Sequence, residues 1–240
     1  MRLLPIIGTI AAFALATAAC GQASQHADAS GDQIRAYILA HPEVIEQAMT
    51  KLQDKRQAEA DAQVGKVLVA NRSKMEQDPR DFVYGNPNGK VTLVEFFDYR
   101  CPYCKAAMSD IDKLVADNKD VRLVLKEFPI LSPVSESASR AAIAAKAQGK
   151  YWPVHEALLA EKDLDDAAIA RILKANGVDL TRASADAIAA PTSQLIKDVH
   201  TLARDSGVTG TPAFIVGDKM VSGWVPEQIQ ADIEAARTAG

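Results

Sequence analysis

The sequence predicts an α/β fold in which a βαβ unit, a long helical insert and a closing ββα unit follow an N-terminal helical extension. Three observations lead there. Val91-Thr92-Leu93-Val94-Glu95-Phe96-Phe97 and the stretch from Val121 to Phe128 are β-rich apolar runs separated by a segment of helical periodicity. Residues from Ser135 to Ser206 are helical by composition, with punctuation at Gly149, Trp152-Pro153, Lys162-Asp163, Gly177 and Pro191 that suggests four or five short helices. Pro212-Ala213-Phe214-Ile215-Val216 and Met220-Val221-Ser222 flank a Gly217-Asp218 turn and lead into a last helix from Pro226. At 240 residues the chain can bury a core without disulfide staples, and 31 acidic against 27 basic residues, a net charge of −4, exclude the basic footprint of a nucleic-acid binder.

Taken from the N-terminus, residues 1–20 read as an export signal: Arg2 precedes seventeen uncharged residues, Leu3 to Ala19, ending in a small-residue run. No other stretch approaches the ~20 apolar residues of a membrane helix. Two outcomes fit Cys20. Cleavage after the small residues leaves it near the new N-terminus, or it becomes the lipidated first residue of a lipoprotein, whose signal Thr17-Ala18-Ala19-Cys20 resembles. Either way the mature chain works in the periplasm or cell envelope, where disulfides persist. Residues 21–30 are a polar tract expected to be a flexible tether.

Residues 31–78 form the helical extension. Ile34, Ile38 and Leu39 share a face, His41-Pro42-Glu43 interrupts and restarts the helix, and Val44, Ile45, Ala48, Met49 and Leu52 continue the stripe. Between Gln53 and Gln63 the large apolar residues vanish before Val64, Val67 and Leu68 resume it. An amphipathic face must be covered, here by copies of itself in a homo-oligomer or by the chain's own domain. Asp78-Pro79 and Gly85-Asn86-Pro87-Asn88-Gly89 are turn signals at the entry to a domain whose halves, residues 79–134 and 207–240, are split by the insert at 135–206.

The chemistry sits at Cys101-Pro102-Tyr103-Cys104, between the first buried strand and its helix. A C-x-x-C at a helix N-terminus within a βαβ unit is a redox arrangement: unpaired backbone N–H groups and the helix dipole stabilise the Cys101 thiolate, and Pro102 suits a first turn that needs no N–H. Cys104, one turn on, is placed to attack a mixed disulfide at Cys101. A zinc knuckle needs two further ligands, and His155 and His200 stand isolated on helical stretches, so no metal is assigned.

The run from Gly85 to Cys104, together with Lys126-Glu127-Phe128-Pro129-Ile130-Leu131 and Gly210-Thr211-Pro212-Ala213-Phe214, resembles DsbA-type thioredoxin-fold proteins from about Phe82 to the C-terminus. Ala40-His41-Pro42-Glu43-Val44-Ile45 is similar to the extension of the ScsC-like (suppressor of copper sensitivity) and Com1-like branch, some members of which are trimers with disulfide isomerase activity. The resemblance implies a thioredoxin fold, a cis Thr211-Pro212 peptide beside the dithiol, and substrate binding by Thr211, Pro212, Pro102 and Tyr103. It implies that Glu95 is a buried acid exchanging protons with Cys104, with Lys126 as its partner. Tyr103 replaces the histidine found between the cysteines of strongly oxidising members, which removes a cation near the thiolate and favours isomerase or reductase activity over strong oxidase activity.

The expected function is therefore that of an exported protein disulfide oxidoreductase, without a cofactor, acting on unfolded or misoxidised exported proteins and served by a membrane redox partner. A trimer is the favoured assembly. Competing readings are a copper(I)-handling or thiol-sequestering protein that would use the thiolates and nearby Met108, and a non-catalytic holdase.

Overall fold

The structure is a computed structural model and describes residues 22–239, so the expected export signal and Cys20 lie outside the described residues. The chain forms two compact units that divide between Ala58 and Glu59. The first contains α1 (Gln22–Ala40) and the start of α2 (Glu43–Ala70). Helix α1 runs through the tract expected to be a tether; alanine, glutamine and aspartate there are compatible with a helix once it continues into Ile34-Arg35-Ala36. The break at His41-Pro42 separates α1 from α2, and Ile34, Tyr37, Leu39, Ile45, Met49 and Leu52 are exposed.

In the second unit, a five-stranded sheet has the order β1-β3-β2-β4-β5, from β1 (Phe82–Gly85), β2 (Val91–Phe97), β3 (Val121–Glu127), β4 (Ala213–Val216) and β5 (Lys219–Ser222). Only β2 and β3 are parallel, as the crossover through α4 (Pro102–Asp117) requires. β1 lies antiparallel to β3 at the edge, where four residues between two turn signals had given no strand pattern. At its end Gly85 has φ 81°, a conformation reserved for glycine, and a Cβ there would meet Val115 Cγ1 at 2.5 Å.

The two faces of the sheet carry different cores. Leu93, Leu123, Leu125 and Phe214 face α4, α10 (Pro226–Ala239) and most of the insert: α5 (Pro133–Lys146), α6 (Tyr151–Ala160), α7 (Asp166–Ala175) and α8 (Leu180–Ile188). Val94, Phe96, Val124 and Ile215 face α9 (Ala190–Asp205), together with Leu68 from the end of α2 and Met75 from α3 (Arg72–Glu76). The helical stretch ends with α3 at Glu76, close to the boundary at 78 that the turn signals suggested, but its last part, with Leu68 and Met75, belongs to the core of the second unit, which begins at Glu59. The last insert helix, α9, returns to cover the second sheet face. No described helix is long and apolar enough to cross a membrane.

Candidate active site

The parallel strand β2 ends at Phe97, and four residues later Cys101 caps α4 in an extended conformation with no side-chain capping bond, Pro102 following at the first helical position. Its backbone N–H donates to the Asp98 carbonyl at 3.0 Å and its carbonyl accepts from Lys105 N–H at 3.1 Å, so the turn is fixed from both sides. The helix N-terminus presents its unpaired main-chain donors at this residue. The Cys101 thiol donates to the Thr211 carbonyl at 3.2 Å. Thr211-Pro212 is a cis peptide, and Pro212 is buried at the foot of β4. Both cysteines are free thiols. Pro102 and Tyr103 are exposed between them.

Cys104 differs from Cys101 in its surroundings. Both are buried, Cys101 3% and Cys104 1% exposed, but burial pushes the Cys104 thiol well above the ordinary range, with the Glu95 carboxylate adding to the effect. Glu95 is 4% exposed and raised by burial to about 8. The register explains the pairing: Glu95 stands opposite Leu125 on β3 and Phe214 on β4, which face the α4 side. Met108, one turn beyond Cys104, packs partly buried on the same core.

Lys126 is not the partner of Glu95. It stands opposite Phe96, one residue out of phase, and a one-residue offset in a strand puts a side chain on the other face. There its ammonium donates to the Lys74 carbonyl at 2.6 Å and pairs with the Asp81 carboxylate, whose pKa burial raises to about 6.

Glu127, next along β3, returns to the active-site face, and the sequence reading did not single it out. Its Oε1 accepts from Tyr151 Oη at 2.7 Å and from Tyr99 Oη at 3.1 Å. Tyr99 also lies 3.0 Å from His155 Nδ1. With the one Tyr99 proton given to Glu127, His155 donates through Nδ1–H; it is neutral, since burial lowers its pKa to about 3. His155 is thus a packed histidine in a buried network directly before the dithiol. The available signal was two consecutive charges inside a buried strand, which alternation must send to opposite faces. Among the described residues no group of three or more His, Cys, Asp or Glu side chains is placed to hold a metal ion.

Burial also raises Glu127 to about 8. An acid with a folded pKa above its unfolded one stabilises the fold fully below the unfolded value, and that contribution is lost as pH rises through about 8. The protein is therefore expected to lose stability between about pH 5 and pH 9. Glu127→Gln should reduce the loss, and Glu95→Gln/Glu127→Gln should reduce it further. Thermal unfolding across this range checks the sign; a protein more stable at pH 9 than at pH 5 would contradict it.

A thioredoxin-like sheet with a dithiol at the first helix N-terminus, facing a cis-proline loop, defines the class. The chain belongs to the DSBA-like thioredoxin domain family, which it matches over residues 92–233, and residues 29–59 match the copper resistance protein ScsC N-terminal domain. It is similar to a thioredoxin-like oxidoreductase from Silicibacter pomeroyi DSS-3, with TM-score 0.69 and 41% identity over 71% of this chain and 99% of that one. It is also similar to Salmonella enterica Typhimurium BcfH, with TM-score 0.73 and 25% identity over 92% of this chain and all of that one (100%). A curated relative, the Na(+)/H(+) antiporter NhaA 3 of Salinispora tropica, is 36% identical over 169 residues, 68% of this chain and 25% of that protein. The chain thus spans about a quarter of the length of the curated relatives it matches.

Proposed function

We propose that this protein is an exported, periplasmic thiol–disulfide oxidoreductase that exchanges disulfides with unfolded or misoxidised proteins, as an isomerase or reductase rather than a strong oxidase. The asymmetry of the dithiol carries the reading: both thiols are buried, but Cys101 caps the helix and donates to a backbone carbonyl, whereas Cys104 feels the Glu95 carboxylate. The Cys101 thiolate attacks a substrate disulfide, forming a Cys101–substrate bond and releasing a substrate thiolate. Cys104 then passes its proton to Glu95 and attacks Cys101 Sγ, leaving a Cys101–Cys104 disulfide and the reduced substrate. If a second substrate thiolate attacks first, the substrate leaves with a rearranged disulfide and the dithiol is regenerated. Thr211 lies where its main chain can pair with an extended client, and Tyr103 leaves the thiolate without a neighbouring imidazolium.

The exposed apolar residues Ile34, Leu39, Ile45, Met49 and Leu52 support assembly through residues 31–58, with a trimer favoured. Several dithiols tethered together hold a client through successive exchanges at a high local concentration. Because Leu68 and Met75 belong to the catalytic core, the informative truncation removes residues 21–58 and spares the rest. The shortened protein should be monomeric by light scattering and reduce a small disulfide normally, yet reactivate scrambled ribonuclease about tenfold more slowly or worse. A monomeric full-length protein, or a truncated one that isomerises equally well, would contradict the assembly. Stoichiometric copper(I) binding without turnover would replace the reading by a metal-handling one.

A further inference from the structure

The Asp98 side chain has no part in the chemistry above, yet it is 0% exposed. A buried carboxylate requires compensation, and here three main-chain donors supply it without any cation. Oδ1 accepts from Arg100 N–H at 2.7 Å, and Oδ2 accepts from Ile130 N–H at 2.8 Å and Leu131 N–H at 3.0 Å. The first bond lies within the dithiol turn and the other two reach the loop between β3 and α5. The Asp98 main chain also holds the redox turn: its carbonyl accepts from Cys101 N–H at 3.0 Å. One residue thus ties the loop after β3 to the redox turn.

That loop carries an apolar rim. Ile130 is 39% exposed and Leu131 51%, and Tyr103, between the cysteines, is 73% exposed. Single exposed apolar residues need no explanation, but these three sit on two segments that Asp98 joins: Ile130 and Leu131 donate to its carboxylate, and Tyr103 lies in the turn that its carbonyl holds. A polypeptide joined to Cys101 lies over that turn. Cysteines are among the most buried residues of folded proteins, so the chain next to a mispaired one is characteristically apolar.

We propose that Asp98 is a positioning residue for exchange with protein disulfides, pinning Ile130 and Leu131 beside the dithiol so that they and Tyr103 receive the apolar chain flanking the client's cysteine. The proposal rests on the thiol–disulfide reading and adds a recognition surface to it. Asp98→Asn is a sharp probe. The amide retains an acceptor for Arg100 but turns an NH2 group toward the Ile130 and Leu131 N–H groups, donor against donor, at nearly unchanged volume.

The test is insulin reduction by the full-length protein with glutathione as reductant. Ile130→Ser/Leu131→Ser should raise KM about five- to tenfold with kcat changed less than about twofold, as lost apolar contact predicts. Asp98→Asn should do the same, and when combined with the rim variant should add less than about twofold, because both remove one interaction. An Asp98→Asn effect that falls on kcat and adds in full to the rim variant would place Asp98 in the thiol chemistry and overturn the proposal. If Asp98→Asn does not fold, the exposed rim variant decides: an unchanged KM overturns the proposal while wild-type turnover leaves the oxidoreductase reading standing. A wild-type protein unable to reduce insulin overturns both.

Discussion

Cys104→Ser is expected to accumulate mixed disulfides between Cys101 and exported proteins, whereas Cys101→Ser forms none and loses dithiol turnover. Both thiols are buried, but the first caps a helix beside the Thr211 carbonyl, whereas burial holds the proton of the second firmly. Cys101 is therefore the expected attacking thiol. Once the mixed disulfide forms, Cys104 is an intramolecular nucleophile with an effective concentration far above that of any free thiol. Replacing it leaves millimolar external thiols to do the work, more than about a thousandfold more slowly. Acid-quenched cultures, alkylated and separated without reductant, should show the adducts with Cys104→Ser alone. Adducts carried by Cys104 in the Cys101→Ser variant would reverse the two roles.

Glu95→Gln is expected to slow resolution of the mixed disulfide at neutral pH by about 10- to 100-fold. Cys104 must lose a proton to attack, burial opposes that loss, and no other acid is shown pairing with it on this face. Two effects of the substitution oppose one another. Removing a carboxylate relieves its repulsion of the forming thiolate, which alone would accelerate the step. In the wild type, however, the proton passes from Cys104 to Glu95, so the thiolate appears beside a neutral acid and there is little repulsion to relieve. Loss of the proton acceptor then dominates. Since Glu95 accepts only when ionised, the wild-type resolution rate should climb with pH and level off above about 8, where the acid titrates. In Glu95→Gln the climb should continue past that point. A stopped-flow series over pH, started from a preformed glutathione adduct at Cys101, separates the two profiles, and superimposable curves would remove Glu95 from the chemistry.

Much of this was legible along the chain because two short-range signals coincide. The β-rich run ending at Phe97 and the C-x-x-C that follows locate a strand, a turn and a helix N-terminus with no knowledge of the rest of the fold. Glu95 was recognisable as an anomaly, a carboxylate among apolar strand residues. That Lys126 is not its partner was not legible, since only the register of β2 on β3 shows that Lys126 lies on the other face. The Tyr99–Glu127–Tyr151–His155 network joins a loop, a strand and an insert helix, so no periodicity could assemble it. The division inside α2 was hidden for another reason. The polar stretch from Gln53 to Gln63 has uniform helix propensity, and nothing local marks where packing against the second sheet face begins. Asp98 was visible only as a polar residue after a strand, because its three donors are main-chain groups that sequence does not display.

The proposed activity requires Cys101 and Cys104 to act as one reversible two-electron couple. The direct measurement equilibrates the full-length mature protein across a series of glutathione redox ratios, quenches with acid, alkylates the free thiols and counts the labels on each cysteine by mass spectrometry. The expected result is a single transition in which Cys101 and Cys104 lose and regain their labels together, with a midpoint more reducing than that of strongly oxidising relatives. Two cysteines that titrate independently, or that remain labelled at every ratio, would contradict it.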